Sequence, residues 1–194
     1  MKCIILAAGT ATRMRPLTTN LPKCLLPVGG KPILQRAIEH VAATGIEQIG
    51  LVIGFQGEAI REFVKKQFPS LRIRFIVNPK YESTNNAFSL LMARAFFYAG
   101  TQEKRPLHDL LLMDADIVFS PRLLPFFLNE GSPNRIAVRI TGHHDEEEVR
   151  VKVDALGNVL VIGKTTPLAE AHGESIGIEF FASDEARRPF ETLE

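Results

Sequence analysis

From Lys2 to Asn129, short apolar runs alternate with stretches of helical periodicity, and no other feature constrains the fold as much. Lys2–Leu6 and Gln48–Ile53 are continuous apolar runs of strand length, which suits strands covered on both faces of a sheet. Between them Ile33, Leu34, Ala37, Ile38, Val41 and Ala42 recur at helical spacing. They predict a helix over Ile33–Thr44 that Gly45 stops. The pattern continues with a helix over Glu58–Phe68 ended by Pro69, a strand over Arg72–Val77 and a helix over Asn86–Ala99 ended by Gly100. A strand over Leu110–Met113 and a helix over Pro121–Asn129, with Ser120 as its cap, complete it. Alternation of this kind predicts an α/β fold with a doubly wound parallel sheet.

Beyond Asn129 the pattern changes. Arg135–Thr141, Glu148–Asp154, Val159–Lys164 and Ser175–Phe181 read as strands with no long helix between them, and "DALGN" (Asp154–Asn158) reads as a hairpin turn. Asp184–Leu193 is the expected closing helix, capped by Ser183 and kinked at Pro189. The expected architecture is a single domain over residues 1–194, a Rossmann-like mixed sheet with a small antiparallel C-terminal extension over 131–194.

The net charge of +1 gives no bulk field toward nucleic acid or membranes. No apolar run approaches the ~18 residues of a membrane span. The short Cys3–Leu6 run lacks the pattern of a signal peptide, and two cysteines, Cys3 and Cys24, make no disulfide framework. These points predict a cytoplasmic protein with reduced thiols; the oligomeric state stays open, a homodimer included. Positive charge is nevertheless concentrated locally. In the first forty residues Lys2, Arg13, Arg15, Lys23, Lys31 and Arg36 face only Glu39.

That concentration follows the first strand, where open α/β sheets bind ligands and turn amides cradle phosphate. Neither G-x-x-x-x-G-K-[ST] nor G-x-G-x-x-G is present. Instead the chain reads Leu6-Ala7-Ala8-Gly9-Thr10-Ala11-Thr12-Arg13. The small Ala7, Ala8 and Gly9 would let a flat base lie against the backbone, while Thr10, Thr12 and Arg13 would face phosphates. Farther on, Pro22 holds the approach of Lys23, a point charge for a phosphate. Arg15, Lys31 and Arg36 read equally well as solvated surface charges.

"ILAAGTATRMRP…LPKCLLPVGGKPIL" resembles the signature of nucleotidyltransferases that activate sugar phosphates and related phosphorylated alcohols, L-A-A-G-x-G-T-R-[ML]-x-P-L-T followed by P-K-x-[ML]-x-P-[VI]-x-x-[KR]-P-[IL]. The resemblance implies a GT-A-like nucleotidyltransferase fold, with 1–130 as the nucleotide-binding part and 131–194 as the acceptor-binding part. It implies that Leu6–Arg13 approach the nucleotide, that Arg13 stabilises the leaving pyrophosphate and that Lys23 contacts phosphates at the reacting centre. The second loop glycine of the pattern is Ala11 here, which would be strained at positive φ.

"LLLMDADIVF" sets Asp114 and Asp116 just past a buried strand. Paired carboxylates beside a triphosphate suit Mg²⁺, which takes hard oxygen ligands; the plainer reading is a turn acid or helix cap. The resemblance aligns Asp116 with the family's metal aspartate and makes Asp114 a second ligand. It also implies a further acid from the C-terminal part, for which Glu179 and Asp184 are candidates. "HHDEEE" (His143–Glu148) is similar in residue type to a metal cluster and reads better as a solvated loop.

"NPKYESTNNAFSLLMA" resembles the phosphocholine cytidylyltransferase branch. That implies CTP as the donor, with Asn78, Thr84, Asn85, Asn86 and Ser89 at the nucleotide, since asparagine amides can both donate to and accept from cytosine. Asn86 also reads as a helix cap. Lys164 matches the family lysine that holds the acceptor's phosphate, and "GESIGI" places Glu174 and Gly177 at the acceptor pocket, where Glu174 could pair with a cationic head group. The chain has no Trp, and only Tyr81 and Tyr98 besides phenylalanines could build an aromatic cage for choline. The function expected is Mg²⁺-dependent cytidylyl transfer to a small phosphorylated or phosphonylated alcohol such as phosphocholine. Arg13, Lys23, Asp116 and Lys164 would carry it. The alternatives are a sugar-1-phosphate or inositol-1-phosphate nucleotidyltransferase and a non-catalytic nucleotide-binding homologue.

Overall fold

The computed structural model describes residues 1–100, 108–131, 133–140 and 148–193. The predicted alternation is present. Strand β1 (Lys2–Ala7) leads through a long loop and the short β2 (Pro27–Val28) and β3 (Lys31–Pro32) to helix α1 (Ile33–Ala43). There follow β4 (Gln48–Ile53), α2 (Gly57–Gln67), β5 (Arg72–Val77), α3 (Asn86–Met92), α4 (Arg94–Tyr98), β6 (Leu110–Asp114) and α5 (Leu123–Asn129). The last third adds β7 (Asn134–Arg139), β8 (Arg150–Val153), β9 (Val159–Gly163), β10 (Gly173–Phe181) and a short α6 (Arg188–Glu191).

One mixed sheet runs in the order β5-β4-β1-β6-β10-β8-β9, with β7 also pairing β10. The first four strands are parallel, and the pairs formed by β10 and by β8 with β9 are antiparallel. Alternation along the strands divides the core into two layers. Cys3, Ile5, Leu111, Met113, Ile178 and Phe180 point to the side covered by α1, α2 and α5. Ile4, Leu6, Val52 and Leu110 point to the side where Leu90, Phe96, Phe97 and Phe190 pack. Because β10 lies directly beside β6, both portions of the chain share this sheet.

Several local expectations change in the tertiary structure. The helix expected over Asn86–Ala99 breaks at Ala93, whose N–H bonds back to Leu90. Its cap is Asn85, which accepts from the Phe88 N–H at 3.2 Å, and not Asn86. The closing helix contracts to Arg188–Glu191 with Pro189 in its first turn, and the Ser183 N–H instead donates to Asp109 at 3.0 Å. Ser120 and Pro121 form a turn before α5. "DALGN" is the β8–β9 turn: Asp154 accepts from the Leu156 and Asn158 N–H groups at 2.8 Å each. Lys2, counted from the sequence with the anion-facing charges, is buried. Its ammonium donates to the carbonyls of Phe96, Phe97 and Ala99 and so closes the end of α4. Lys31 pairs with Glu39, and Arg36 donates to the Val28 and Gly29 carbonyls of the β2–β3 turn. Residues 143–147 of the "HHDEEE" stretch lie outside the described residues. Cys3 and Cys24 are free and buried. Among the described residues no helix is long and apolar enough to cross a membrane.

Candidate active site

The site forms where β1 and β6 end side by side. Leu6 pairs with Asp114, and the Leu6 carbonyl takes the Ala115 N–H at 3.0 Å. From Ala7 the chain leaves the sheet; the Ala8 carbonyl accepts from the Phe55 N–H at 3.1 Å, and Gly9 stands exposed. Ala11 is left-handed, at φ 48° and ψ 42°. A non-glycine residue there costs about 1–2 kcal/mol, and the fold holds it: its carbonyl accepts from the Met14 N–H at 3.1 Å and from the buried Thr18 hydroxyl at 2.8 Å. A helical turn over Thr12–Met14 then sets Arg13 toward the cleft. A second turn, Lys23–Leu25, buries Cys24 and Leu25 and leaves Lys23 pointing outward.

Lys23 reaches across to β6. Its ammonium lies 2.7 Å from the Asp116 carboxylate. Asp114, the last residue of β6, accepts from the Asn86 amide at 2.9 Å. Burial, and then the negative charge of Asp116, push the Asp114 carboxyl up to about 6 against the opposing pull of Lys23. Gly177, at φ 72° in the bulge of β10, fits against Asp114: a Cβ there would stand 2.5 Å from Oδ2. Next on that face Glu179 is pushed up to about 7, by burial first and by Asp114 second.

A cleft of about 530 Å³ lies between these elements, lined among others by Leu6, Ala7, Gly9, Ala11, Arg13 and Lys23, with Asn86, Asp114 and Asp116 opposite. A second cavity of about 570 Å³ adjoins it and shares Leu6, Asn86 and Asp114; Gly177 and Glu179 line the second and not the first. Ala8 is buried under the loop, and Thr10 and Thr12 do not line either cavity.

Of the polar residues expected on the base, Asn86 faces the cleft. Asn78 is fully buried: its amide nitrogen donates to the Thr84 and Ser89 hydroxyls at 3.1 and 3.0 Å, and its oxygen accepts from the Lys80 N–H. Asn78, Thr84, Asn85 and Ser89 therefore build the loop that presents Asn86. Glu174 pairs with Arg139, and Lys164 is exposed after β9, its carbonyl taking a hydrogen bond from Arg150. Neither lines the two cavities. Thr18, between Arg13 and Lys23 in the chain, is the site residue that sequence reasoning missed, and the apolar walls of the second cavity carry no local signal at all.

The carboxylates fit a divalent cation. Asp114 and Asp116 offer hard oxygens on one side of the cleft; burial first, and the charge of Asp116 second, raise the Asp114 carboxyl, and a divalent cation there would oppose both. Among the described residues no group of three or more His, Cys, Asp or Glu is placed to hold a metal. Ligands beyond the two aspartates would come from phosphate oxygens and water.

The sequence profile of the nucleotidyl transferase family matches residues 2–150, and the chain belongs to that family. Its relatives include a CMP-5'-(3-aminopropyl)phosphonate synthase of Streptomyces rubellomurinus, 34% identical over 64% of this chain and 18% of that protein. A choline-phosphate cytidylyltransferase of Streptococcus pneumoniae is 38% identical over 48% of this chain and 39% of that protein. A bifunctional protein GlmU of Methanococcus vannielii is 34% identical over 68% and 28%. The chain thus spans well under half the length of these relatives. Among solved structures, the inositol-1-phosphate CTP transferase of T. maritima superposes with a TM-score of 0.74 at 21% identity, over 93% of this chain and 70% of that one. At that identity the likeness is one of fold.

Proposed function

We propose that the chain transfers a cytidylyl group from CTP to a small phosphorylated or phosphonylated alcohol and releases pyrophosphate. The observation that carries this reading is the cleft itself, in which the Gly9–Arg13 loop, Lys23 and the Asp114–Asp116 pair face one another at the carboxyl edge of the sheet. The cytidylyl donor is supported by the relatives named for CMP-phosphonate synthesis and choline-phosphate cytidylyl transfer.

The acceptor's phosphate or phosphonate oxygen attacks the α-phosphorus of CTP in line, one P–O bond forms, and the bond to pyrophosphate breaks. Catalysis is positioning and charge neutralisation, with no covalent enzyme intermediate. The loop from Ala7 to Ala11 supports the nucleoside, and Arg13 and Lys23 stabilise negative charge on the reacting and leaving phosphates. Asn86 orients Asp114. Mg²⁺ held by Asp116 and Asp114 would supply further neutralisation of the triphosphate. Lys164 is assigned the acceptor phosphate by resemblance and would have to reach it from the rim.

Incubation with CTP, MgCl₂ and a panel of phosphorylated alcohols is expected to release pyrophosphate with at least one acceptor. Folded protein that releases none, with any acceptor and any of CTP, UTP, GTP or dTTP, overturns the reading. The GlmU relative favours a second reading, nucleotidyl transfer to a sugar phosphate. Thermal shifts with the four nucleotides separate the donors, since the strongest stabilisation should come from CTP. A non-catalytic homologue would bind nucleotide and show no activity for Asp116→Ala to remove.

A further inference from the structure

The second cavity is unlike the first. Leu90, Leu112, Val149, Ile162 and Phe181 give it mostly apolar walls. Into it the sheet delivers a carboxylate. Ile178 and Phe180 of β10 pack on the α1 side, so alternation turns Glu179 to the opposite face, with Leu112 and Asp114, where a core residue is the rule. The Glu179 carboxylate has no hydrogen-bond or ion-pair partner among the described residues. Arg188, the cation at the rim, is held by Glu185 at 3.0 Å. Glu174, the acid expected from sequence to meet a cationic head group, is taken by Arg139.

We propose that this cavity receives the organic tail of the acceptor and that Glu179 selects a tail bearing an ammonium group. This rests on the nucleotidyl-transfer reading: the shared Asn86 and Asp114 join the cavity to the cleft, so an acceptor can place its phosphate near Lys23 and its tail against Glu179. Three other occupants fit worse. A polyhydroxyl tail would leave its hydroxyls unpaired against apolar walls. A neutral alkyl tail would strip water from Glu179 without replacing it. A divalent cation requires about six oxygens, and among the described residues no group of three acids, histidines or cysteines is placed to hold one. An alkylammonium satisfies both features, with methylenes on the walls and charge on the carboxylate.

The test compares phosphocholine and aminoethyl phosphate with neohexyl phosphate, in which carbon replaces the quaternary nitrogen, in the wild type and in Glu179→Gln. The wild type is expected to prefer the ammonium acceptors in kcat/KM by about tenfold to a hundredfold, the lower range of a close charge pair, and the variant to shrink that ratio to within a few-fold. No preference in the wild type, or a preference that survives in Glu179→Gln, overturns the proposal. If no acceptor turns over, the functional reading fails, and calorimetric binding of choline against neohexanol decides this one separately. Choline bound by wild type and lost in Glu179→Gln upholds it; equal binding of both, or of neither, overturns it.

Discussion

The ammonium of Lys23 lies 2.7 Å from the Asp116 carboxylate, joining the loop after the first strand to the end of β6. The two side chains remain 34% and 40% exposed, so the pair holds little of the fold together. It does hold Lys23 in the mouth of the cleft. Asp116→Ala is therefore expected to change stability by less than about 1 kcal/mol while lowering turnover by about a thousandfold, the scale of a lost electrostatic stabiliser. Urea denaturation and pyrophosphate release measure the two effects. Retained turnover would remove Asp116 from the reaction.

Ala11 stands where the family signature has glycine, and its backbone is left-handed at φ 48°. Glycine removes the Cβ strain and adds freedom to the unfolded chain, so Ala11→Gly is expected to gain up to about 1 kcal/mol net. In a chain of this size that raises Tm by about 2–4 °C. Thr18→Val removes the hydroxyl that grips the Ala11 carbonyl at 2.8 Å and is expected to cost about 1–2 kcal/mol. Differential scanning calorimetry of both variants reads the signs; a lower Tm for Ala11→Gly means that the loop carries no strain there.

Gly177 meets Asp114 so closely that a methyl group would stand 2.5 Å from its carboxylate oxygen, and its φ of 72° is itself unfavourable for a side chain. Gly177→Ala is expected to destabilise by about 2 kcal/mol and to displace Asp114 from Asn86. Activity should fall more than stability predicts. Normal kinetics in a folded Gly177→Ala protein would show that Asp114 need not be held there.

Glu179 and Asp114 are raised from 4.5 and 3.8 to about 7 and about 6. The folded protein then binds more protons than the unfolded chain between those limits, so stability falls as pH rises through them and levels off above. Glu39 and Asp154, held low by Lys31 and by Asn158, act in the opposite sense only at lower pH. In EDTA, Tm is expected to drop between about pH 5 and 7.5, and Glu179→Gln to flatten that slope. A Tm that holds or rises across this window contradicts the burial of these acids.

Periodicity along the chain was enough to set out the strand–helix order, because burial on one face leaves its mark every two or every 3.6 residues. The loop signature was enough to point to the family. Neither could say which polar residues face the cleft. Asn78 and Asn86 stand in one run of asparagines and hydroxyls, yet one is sealed inside the loop and the other meets Asp114. Lys2 resembles its basic neighbours in sequence and ends beneath the carbonyls of α4. Glu174 and Glu179 lie on the same strand; Arg139 takes the first, and the pairing of β10 with β6 turns the second into an apolar cavity. Local sequence records how each segment shields its backbone and apolar surface. Which charges are left to act depends on partners far along the chain, and only the tertiary structure brings those partners together.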